Sequence, residues 1–327
     1  MEVLILNHEE VPQLLPMEEC MDAMADALSA LARGEALMPL RSVMWLPEGI
    51  GALAAMPSYL GGVDAMGIKV ISVFPGNWGT EYDSHQGAVM LFDARQGRLL
   101  AIADATEITA IRTAAVSGVA TRALAREDAG DLAILGSGTQ ARTHLEAMLA
   151  ARPIGRVRVW SRSPRNADRF VQQAANRHGI AVEPIPSAEQ SVAGADLICT
   201  TTSATEPILL GRWISPGAHI NAVGAAFPTA RELDAEAVAR SRLFVDRRES
   251  ALNEAGDFLI AREEGAVDER HILGELGEVL TGDVQGRTGR DDITLFESLG
   301  LAVEDLTSIH HIYRRAMETG MGRRVQL

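Results

Sequence analysis

The stretch Leu132–Leu145, LAILGSGTQARTHL, decides the fold class of this chain. An apolar run meets the glycine-rich turn Gly136-Ser137-Gly138 and then a segment with helical character. In a strand–turn–helix unit of this kind, N–H groups at the start of the helix bind the pyrophosphate of a dinucleotide. Gly136 permits the tight turn, Gly138 lets the backbone approach a phosphate, and Ala141 replaces the third glycine of the fingerprint. The stretch predicts a dinucleotide-binding turn, although a tight turn without a ligand has the same two glycines.

The end of the next predicted strand, about twenty residues further on, indicates which dinucleotide fits. That strand contains Val157, Val159 and Trp160 and is followed by SRS and an arginine. An NAD-preferring site carries Asp or Glu there, whereas arginine and two hydroxyl groups suit a 2′-phosphate. We predict NADP(H) over NAD(H), the alternative being a basic turn that only faces solvent. The predicted cofactor contacts are Gly136, Ser137, Gly138, Thr139, Gln140, Ser161, Arg162, Ser163, Arg165, Thr201, Val223 and Gly224.

Composition limits the classes of protein that fit. The 327 residues are 47% hydrophobic and 23% charged, which is ordinary for a globular protein with two domains. A net charge of -14 argues against nucleic acid or an anionic membrane as partner. No apolar run approaches the roughly 20 residues of a membrane span, and we expect no signal peptide. Cys20 and Cys199 are too few for a disulfide framework or a metal cluster, so we predict no metal site and a reducing, cytoplasmic compartment.

The first part of the chain mixes helices and strands. Apolar residues at helical spacing predict a helix over Met17–Leu31, and an alanine-rich run predicts another over Thr106–Arg126. Strands are predicted over 41–46, 51–56, 67–74 and 87–92, with hairpin-like turns at PEG (47–49) and ARQG (94–97).

After Asp128 strands alternate with helices, which predicts a doubly wound parallel sheet. Asp291–Arg315 is predicted to be a helix that packs back on the N-terminal part. The predicted strands of this second part are 132–136, 157–161, 181–185, 195–202, 218–224 and 242–246.

Polar residues in the first part suggest a site. Lys69 lies in the apolar run GIKVI, where alternation puts it on one face with Gly67 and Ile71. A lysine facing a core or cleft is costly unless it meets an anion or loses its proton, the alternative being an edge lysine in water. Arg112 interrupts the alanine-rich helix and is either paired or simply on the surface. No Ser/His/Asp triad is visible, so hydrolysis is unsupported.

The sequence resembles the ornithine cyclodeaminase/μ-crystallin family over most of its length, in order from about Met56 to Asp305. The runs that carry the resemblance are MPSYLGG, GIKVISVFPGN, SHQGAVMLFDARQGRLLAIAD, TAIRTAAVSGVAT, LGSGTQA, TEPIL, GAHINAVG and SLGLAVED. The resemblance implies an α/β fold in which a Rossmann-type doubly wound parallel sheet (119–299) accompanies a discontinuous α+β substrate-binding and dimerisation domain (1–118 and 300–327). It also implies that Arg41, Lys69 and Arg112 bind a substrate carboxylate, with His85 nearby as a further catalytic candidate.

One position departs from the cyclodeaminase pattern. Cyclodeaminases of this family carry an aspartate shortly after the INAVG strand, where it binds and deprotonates the substrate amine. Here the chain reads GAAFP, with Ala226 at that place and Phe227 beside it as a second predicted substrate contact. Without the carboxylate no base for the amine is evident, and the segment looks more like the μ-crystallin branch, whose members reduce cyclic ketimine acids.

We therefore expect an NADPH-preferring reductase of small α-imino acids. The expected substrates are cyclic ketimine carboxylates, Δ1-pyrroline-2-carboxylate or Δ1-piperideine-2-carboxylate, and the expected assembly is a homodimer. The alternatives are an alanine-like amino-acid dehydrogenase, an ornithine cyclodeaminase, and a non-catalytic NADPH-dependent binder of small molecules.

Overall fold

The computed structural model describes residues 2–77 and 80–327. The chain divides into two compact units, Met1–Arg112 with Gly300–Leu327, and Thr113–Leu299. The strands are β1 (Glu2–Leu6), β2 (Ala36–Leu37), β3 (Ser42–Trp45), β4 (Ala52–Leu60), β5 (Ala65–Val73), β6 (His85–Asp93), β7 (Leu99–Asp104), β8 (Asp131–Leu135), β9 (Arg156–Trp160), β10 (Glu183–Pro184), β11 (Leu197–Thr200), β12 (His219–Ala222), β13 (Arg242–Val245), β14 (Ile272–Glu275), β15 (Thr294–Glu297) and β16 (Arg323–Gln326). The helices are α1 (Val11–Leu14), α2 (Met17–Ala32), α3 (Ala105–Leu124), α4 (Thr139–Ala151), α5 (Pro164–His178), α6 (Ala188–Val192), α7 (Ala235–Ala239), α8 (Arg248–Glu254), α9 (Gly256–Glu263), α10 (Leu276–Thr281) and α11 (Ala302–Thr319).

The first unit is built on a mixed sheet in the order β16-β1-β7-β6-β5-β4-β2, with β3 paired to β4. Its neighbouring strands are antiparallel except for the parallel pair β1 and β7. Helices α2 and α11 pack against each other, and α11 also packs on β4, β5 and β6. The apolar face of α2, with Met21, Met24 and Leu28 buried, is the one that the periodicity predicted. The expected return of the C-terminal helix to the N-terminal part is confirmed.

The two faces of this sheet differ. Met56, Lys69 and Val89 are cross-strand neighbours on one face, and all three are buried. Pro57, Ile68, Met90 and Ile102 form the corresponding row on the opposite face, where each is only half-buried. Alternation along β5 therefore puts Lys69 on the face of the sheet that α11 covers.

The second unit is a parallel sheet in the order β10-β9-β8-β11-β12-β15-β13-β14. Strands such as β8, β11 and β12 are short and almost wholly buried, as expected when helices cover both faces. The direction of strand order reverses between β8 and β11, which is the switch point where ligands bind in such folds. The predicted doubly wound sheet is confirmed.

The prediction of one helix over Asp291–Arg315 is wrong. Thr294–Glu297 is strand β15, buried between β12 and β13, and the helix begins only at Ala302. Gly300, with φ of +79°, separates the two elements. Four residues buried on both faces show no alternation, so the strand could not be distinguished from the start of a helix. Strands β1, β2, β14 and β16 were also not predicted, and the strand predicted at 181–185 forms only over Glu183–Pro184.

Within the described ranges, no helix has both the length and the apolar character that crossing a membrane requires.

Candidate active site

Lys69 of β5 is 3% exposed and faces α11, where its Nζ lies 3.1 Å from Asp305 Oδ1. Burial lowers the pKa of Lys69 to about 8; the Asp305 charge opposes this shift, and the Arg112 charge adds to it. An ammonium group with that pKa is mostly protonated at neutral pH. Because an ammonium has three N–H donors, the bond to Asp305 uses only part of its capacity.

Arg112 of α3 contacts the same helix end. Its Nε donates to Asp305 Oδ1 at 3.1 Å, and its Nη1 donates to Glu304 Oε2 at 2.7 Å. The side chains of both carboxylates are 1% exposed. The guanidinium thus joins two adjacent acidic residues at the start of α11, where the helix dipole also favours negative charge.

Arg41 precedes β3 and reaches the same region through Gly300. Its Nη2 donates to the Gly300 carbonyl oxygen at 3.0 Å. A Cβ added at Gly300 would collide with the Arg112 guanidinium, so a larger residue here would displace that side chain. Gly300 therefore holds Arg41 through its carbonyl oxygen and leaves room for Arg112.

The cluster brings three cationic side chains together. Lys69 and Arg112 are buried and meet Glu304 and Asp305, whereas the half-buried Arg41 donates to the Gly300 carbonyl oxygen. Cationic side chains concentrated in this way suit a ligand that carries a carboxylate.

His85 lies at the start of β6, with its Nδ1 3.0 Å from Ser84 Oγ. Desolvation, and then the positive charge of Lys69, lower the pKa of His85 below its ordinary value. This shift favours the neutral imidazole, which can both donate and accept a hydrogen bond.

The second unit carries the dinucleotide-binding edge. Gly136 has φ of +130°, and an added Cβ would lie 2.6 Å from Thr201 Oγ1. Gly138 is the N-cap of α4 and has no side chain to occupy the N–H groups of the first turn, Thr139 and Gln140 among them. Chain neighbours aside, no described atom lies within 4 Å of a Cβ added at Gly138. These features fit a pyrophosphate at this helix start.

The adjacent strand end is hydroxyl-rich and basic. Ser137 Oγ, after β8, lies 2.9 Å from Ser161 Oγ, after β9. Ser163 is the N-cap of α5, and the side chains of Arg162 and Arg165 are exposed beside it. Arg162 follows β9 and Arg165 lies in the first turn of α5, the region where a ribose would be recognised.

Three more predicted contacts end strands at the same edge. Thr201 follows β11 and donates its N–H to the Leu135 carbonyl at 2.9 Å. Val223 and Gly224 follow β12. Ala226 and Phe227 come next and are half-buried, Ala226 against the apolar core of this unit.

Three acidic residues were missed by the sequence reasoning: Glu304, Asp305 and Glu232. Asp305 ends the run SLGLAVED, but nothing local says that it faces Lys69. Glu232 is fully buried and accepts hydrogen bonds from the loops after β11 and β12. In the part of the chain that the structure describes, no three His, Cys, Asp or Glu side chains are grouped so that they could hold a metal ion.

Comparison with known proteins gives consistent matches. Residues 1–320 match the model of the Ornithine cyclodeaminase/mu-crystallin family. The ketimine reductase mu-crystallin of Mus musculus is 42% identical over 280 residues, 86% of this chain and 85% of the mouse protein. The solved structure of Thermococcus litoralis Delta(1)-pyrroline-2-carboxylate reductase with NADH and L-proline has a TM-score of 0.96 at 39% identity, covering 99% of this chain and 100% of that one. An archaeal alanine dehydrogenase dimer with bound NAD has a TM-score of 0.94 at 33% identity over the whole of both chains.

Proposed function

The chain belongs to the ornithine cyclodeaminase/mu-crystallin family, and from this premise we propose that it is a nicotinamide-dependent reductase of small α-imino acids. Cyclic ketimine carboxylates such as Δ1-pyrroline-2-carboxylate and Δ1-piperideine-2-carboxylate are the proposed substrates. The observation that carries the proposal is the cluster of Arg41, Lys69 and Arg112, three cationic side chains brought together at the start of α11, with Lys69 and Arg112 buried. The ketimine reductase and pyrroline carboxylate reductase among its relatives support the same reaction class.

In this proposal the arginines hold and orient the substrate carboxylate, because a guanidinium fork matches its two oxygens. Lys69 keeps the imine nitrogen protonated, which makes the adjacent carbon the better hydride acceptor. Its lowered pKa, about 8, suits it to share a proton near neutral pH. Asp305 holds the ammonium in place through its 3.1 Å contact.

The cofactor would be held by the edge of the second unit. Gly136 and Gly138 give the pyrophosphate its space, and the start of α4 supplies N–H donors. When bound, nicotinamide supplies the hydride, and the protein contributes orientation and electrostatics.

An absorbance assay tests the proposal. Protein is mixed with NADPH or NADH and a panel of cyclic imine carboxylates, and nicotinamide oxidation is followed. A parallel assay with pyruvate and ammonia tests for an alanine-dehydrogenase-type reaction. Oxidation with cyclic imines supports the proposal. Oxidation only with keto acid and ammonia would point to the dehydrogenase, and binding without turnover to a small-molecule binder.

We further propose that NADPH is preferred, since Arg162 and Arg165 flank the ribose-reading strand end. Arg162→Ala is expected to weaken NADPH binding about ten- to a hundredfold and NADH binding little, because a charge-assisted contact contributes roughly 1.5–3 kcal/mol. Titration calorimetry with both cofactors measures the difference. Arg177→Ala, about 20 Å along α5 from its start, is the control and should change neither affinity. Equal losses for both cofactors in Arg162→Ala would refute this role.

We also propose a homodimer in which the half-buried sheet face of the first unit packs against a second copy. Pro57, Ile68, Met90 and Ile102 form an apolar row across that face. A contiguous apolar surface of this kind is typical of an interface. The dimer described for the alanine dehydrogenase relative supports the assembly.

Ile68→Lys is expected to convert the dimer to monomer, because a charge would be buried at the centre of the interface. Sedimentation velocity at micromolar concentration measures the change. Leu273→Lys, at an apolar position of the second unit that is 39% exposed, is the matched control and should remain dimeric. A stable monomer for the unmodified protein would contradict the proposal.

A further inference from the structure

The second unit contains a buried acidic residue that the proposed chemistry does not use. Glu232 is 0% exposed and lies between β12 and α7 in the chain. Burial raises the pKa of its carboxyl, while hydrogen bonds from Thr202 and Gly224 oppose that shift. Burying a carboxylate costs free energy unless hydrogen bonds replace the water that it loses.

The contacts of Glu232 join two neighbouring loops. Its Oε1 accepts from the N–H of Thr202 at 2.6 Å and from the Thr202 hydroxyl at 2.7 Å. Its Oε2 accepts from the N–H of Gly224 at 2.7 Å. Thr202 lies after β11 and Gly224 after β12, so one carboxylate holds the carboxyl ends of two adjacent parallel strands.

The two loops are packed too closely to tolerate a side chain between them. A Cβ added at Gly224 would lie 2.1 Å from the Thr202 carbonyl oxygen and 2.6 Å from the Glu232 carboxyl. The Glu232 backbone is itself fixed, because Asp257 Oδ1 accepts from the N–H groups of Glu232 and Leu233 at 2.8 Å each. The carboxylate therefore acts from a fixed position rather than as a mobile side chain.

We infer that Glu232 is a positioning residue that holds the loops after β11 and β12 in the conformation that receives the nicotinamide half of the cofactor. The inference rests on the proposed function, since it requires nicotinamide to bind at this edge. The adenosine and pyrophosphate contacts come instead from the ends of β8 and β9, which Glu232 does not touch. Loss of the Glu232 contacts with Thr202 and Gly224 should therefore weaken binding of the nicotinamide half and leave binding of the adenosine half unchanged.

Glu232→Gln tests this division. A carboxamide keeps only one acceptor oxygen, so either the Thr202 donors or the Gly224 N–H lose their partner. We expect the Kd for NADPH and for NADH to rise about ten- to a hundredfold. The Kd for 2′-phospho-ADP-ribose, the part of NADPH without nicotinamide, should stay unchanged. Titration calorimetry measures all three.

Two further variants make the test specific. Asp234→Asn is the matched control, because Asp234 also accepts from two backbone N–H groups, those of Gly211 and Ala237, but holds the start of α7. It should lower the melting temperature without changing the ratio of NADPH to fragment affinity. Thr202→Val removes the hydroxyl that donates to Glu232 and accepts from the Ala204 N–H, and it leaves the backbone N–H bond of Thr202 to Glu232 in place. It should show the same selective loss, smaller in size, even if Glu232→Gln fails to fold.

The outcomes separate the two proposals. One outcome is that the unmodified protein binds NADPH while Glu232→Gln and Thr202→Val both keep its ratio of affinity for NADPH to affinity for 2′-phospho-ADP-ribose. That result refutes the role of Glu232 and leaves the proposed function standing. If the unmodified protein binds neither NADPH nor the fragment, both proposals fall together.

Discussion

Replacing Arg112 with methionine is expected to lower kcat/KM for imine reduction by at least about a hundredfold, because a guanidinium fork to the substrate carboxylate supplies two charge-assisted hydrogen bonds. The same change should reduce the free energy of unfolding by about 3–5 kcal/mol, because it removes one partner of a buried ion pair. Glu304 Oε2 would lose its 2.7 Å hydrogen bond from Arg112, and Asp305 Oδ1 would lose its 3.1 Å one. Steady-state kinetics and urea unfolding measure the two effects.

A double variant separates the two roles of Arg112. Arg112→Met with Glu304→Gln removes one charge of each sign and restores the net charge of the cluster. We expect it to recover much of the lost stability but little of the lost activity. Recovery of imine reduction to nearly the unmodified rate would mean that Arg112 serves only as a counter-charge for the acidic residues. Arg112→Lys keeps the charge without the fork and should give an intermediate loss.

Local pattern was sufficient for much of the fold. The glycine-rich stretch after β8 and the strand–helix alternation identified the doubly wound sheet, since both signals lie within short segments of chain. The hairpin turns before β4 and before β7 also lie where the sequence indicated, each joining antiparallel partners. The prediction failed at β15, because its four residues are all buried and show no periodicity that would distinguish a strand from a helix.

In the candidate site, too, local sequence predicts some residues and misses others. Alternation along β5 was enough to put Lys69 on the face with Gly67 and Ile71, where the structure buries it. Its partner Asp305 lies 236 positions away, and Glu304 lies 192 positions from Arg112. No periodicity connects residues so distant, because their contact arises from the packing of α11 on the sheet. Glu232 was missed for a similar reason, since its role depends on two loops that only the folded sheet brings together.

Ala226→Asp is expected to have opposite effects on two reactions. Imine reduction should fall about ten- to a hundredfold in kcat/KM, because a new anion beside a partly buried position repels a substrate that carries a carboxylate. Weak binding of a diamino acid such as L-ornithine should appear, since the carboxylate could hold a substrate amine. Kinetics with a cyclic imine and calorimetry with ornithine measure the two effects.

The neutral analogue Ala226→Asn decides whether charge is the cause. Asparagine has nearly the same volume as aspartate, so both variants disturb the packing of this position against the apolar core to a similar degree. If charge is responsible, Asn should retain most of the imine reduction that Asp loses and should bind no ornithine. The unmodified protein, with alanine here, should release no ammonia from ornithine in the presence of NAD+. Ornithine deamination at a rate comparable with imine reduction would show that this position does not separate the two reactions.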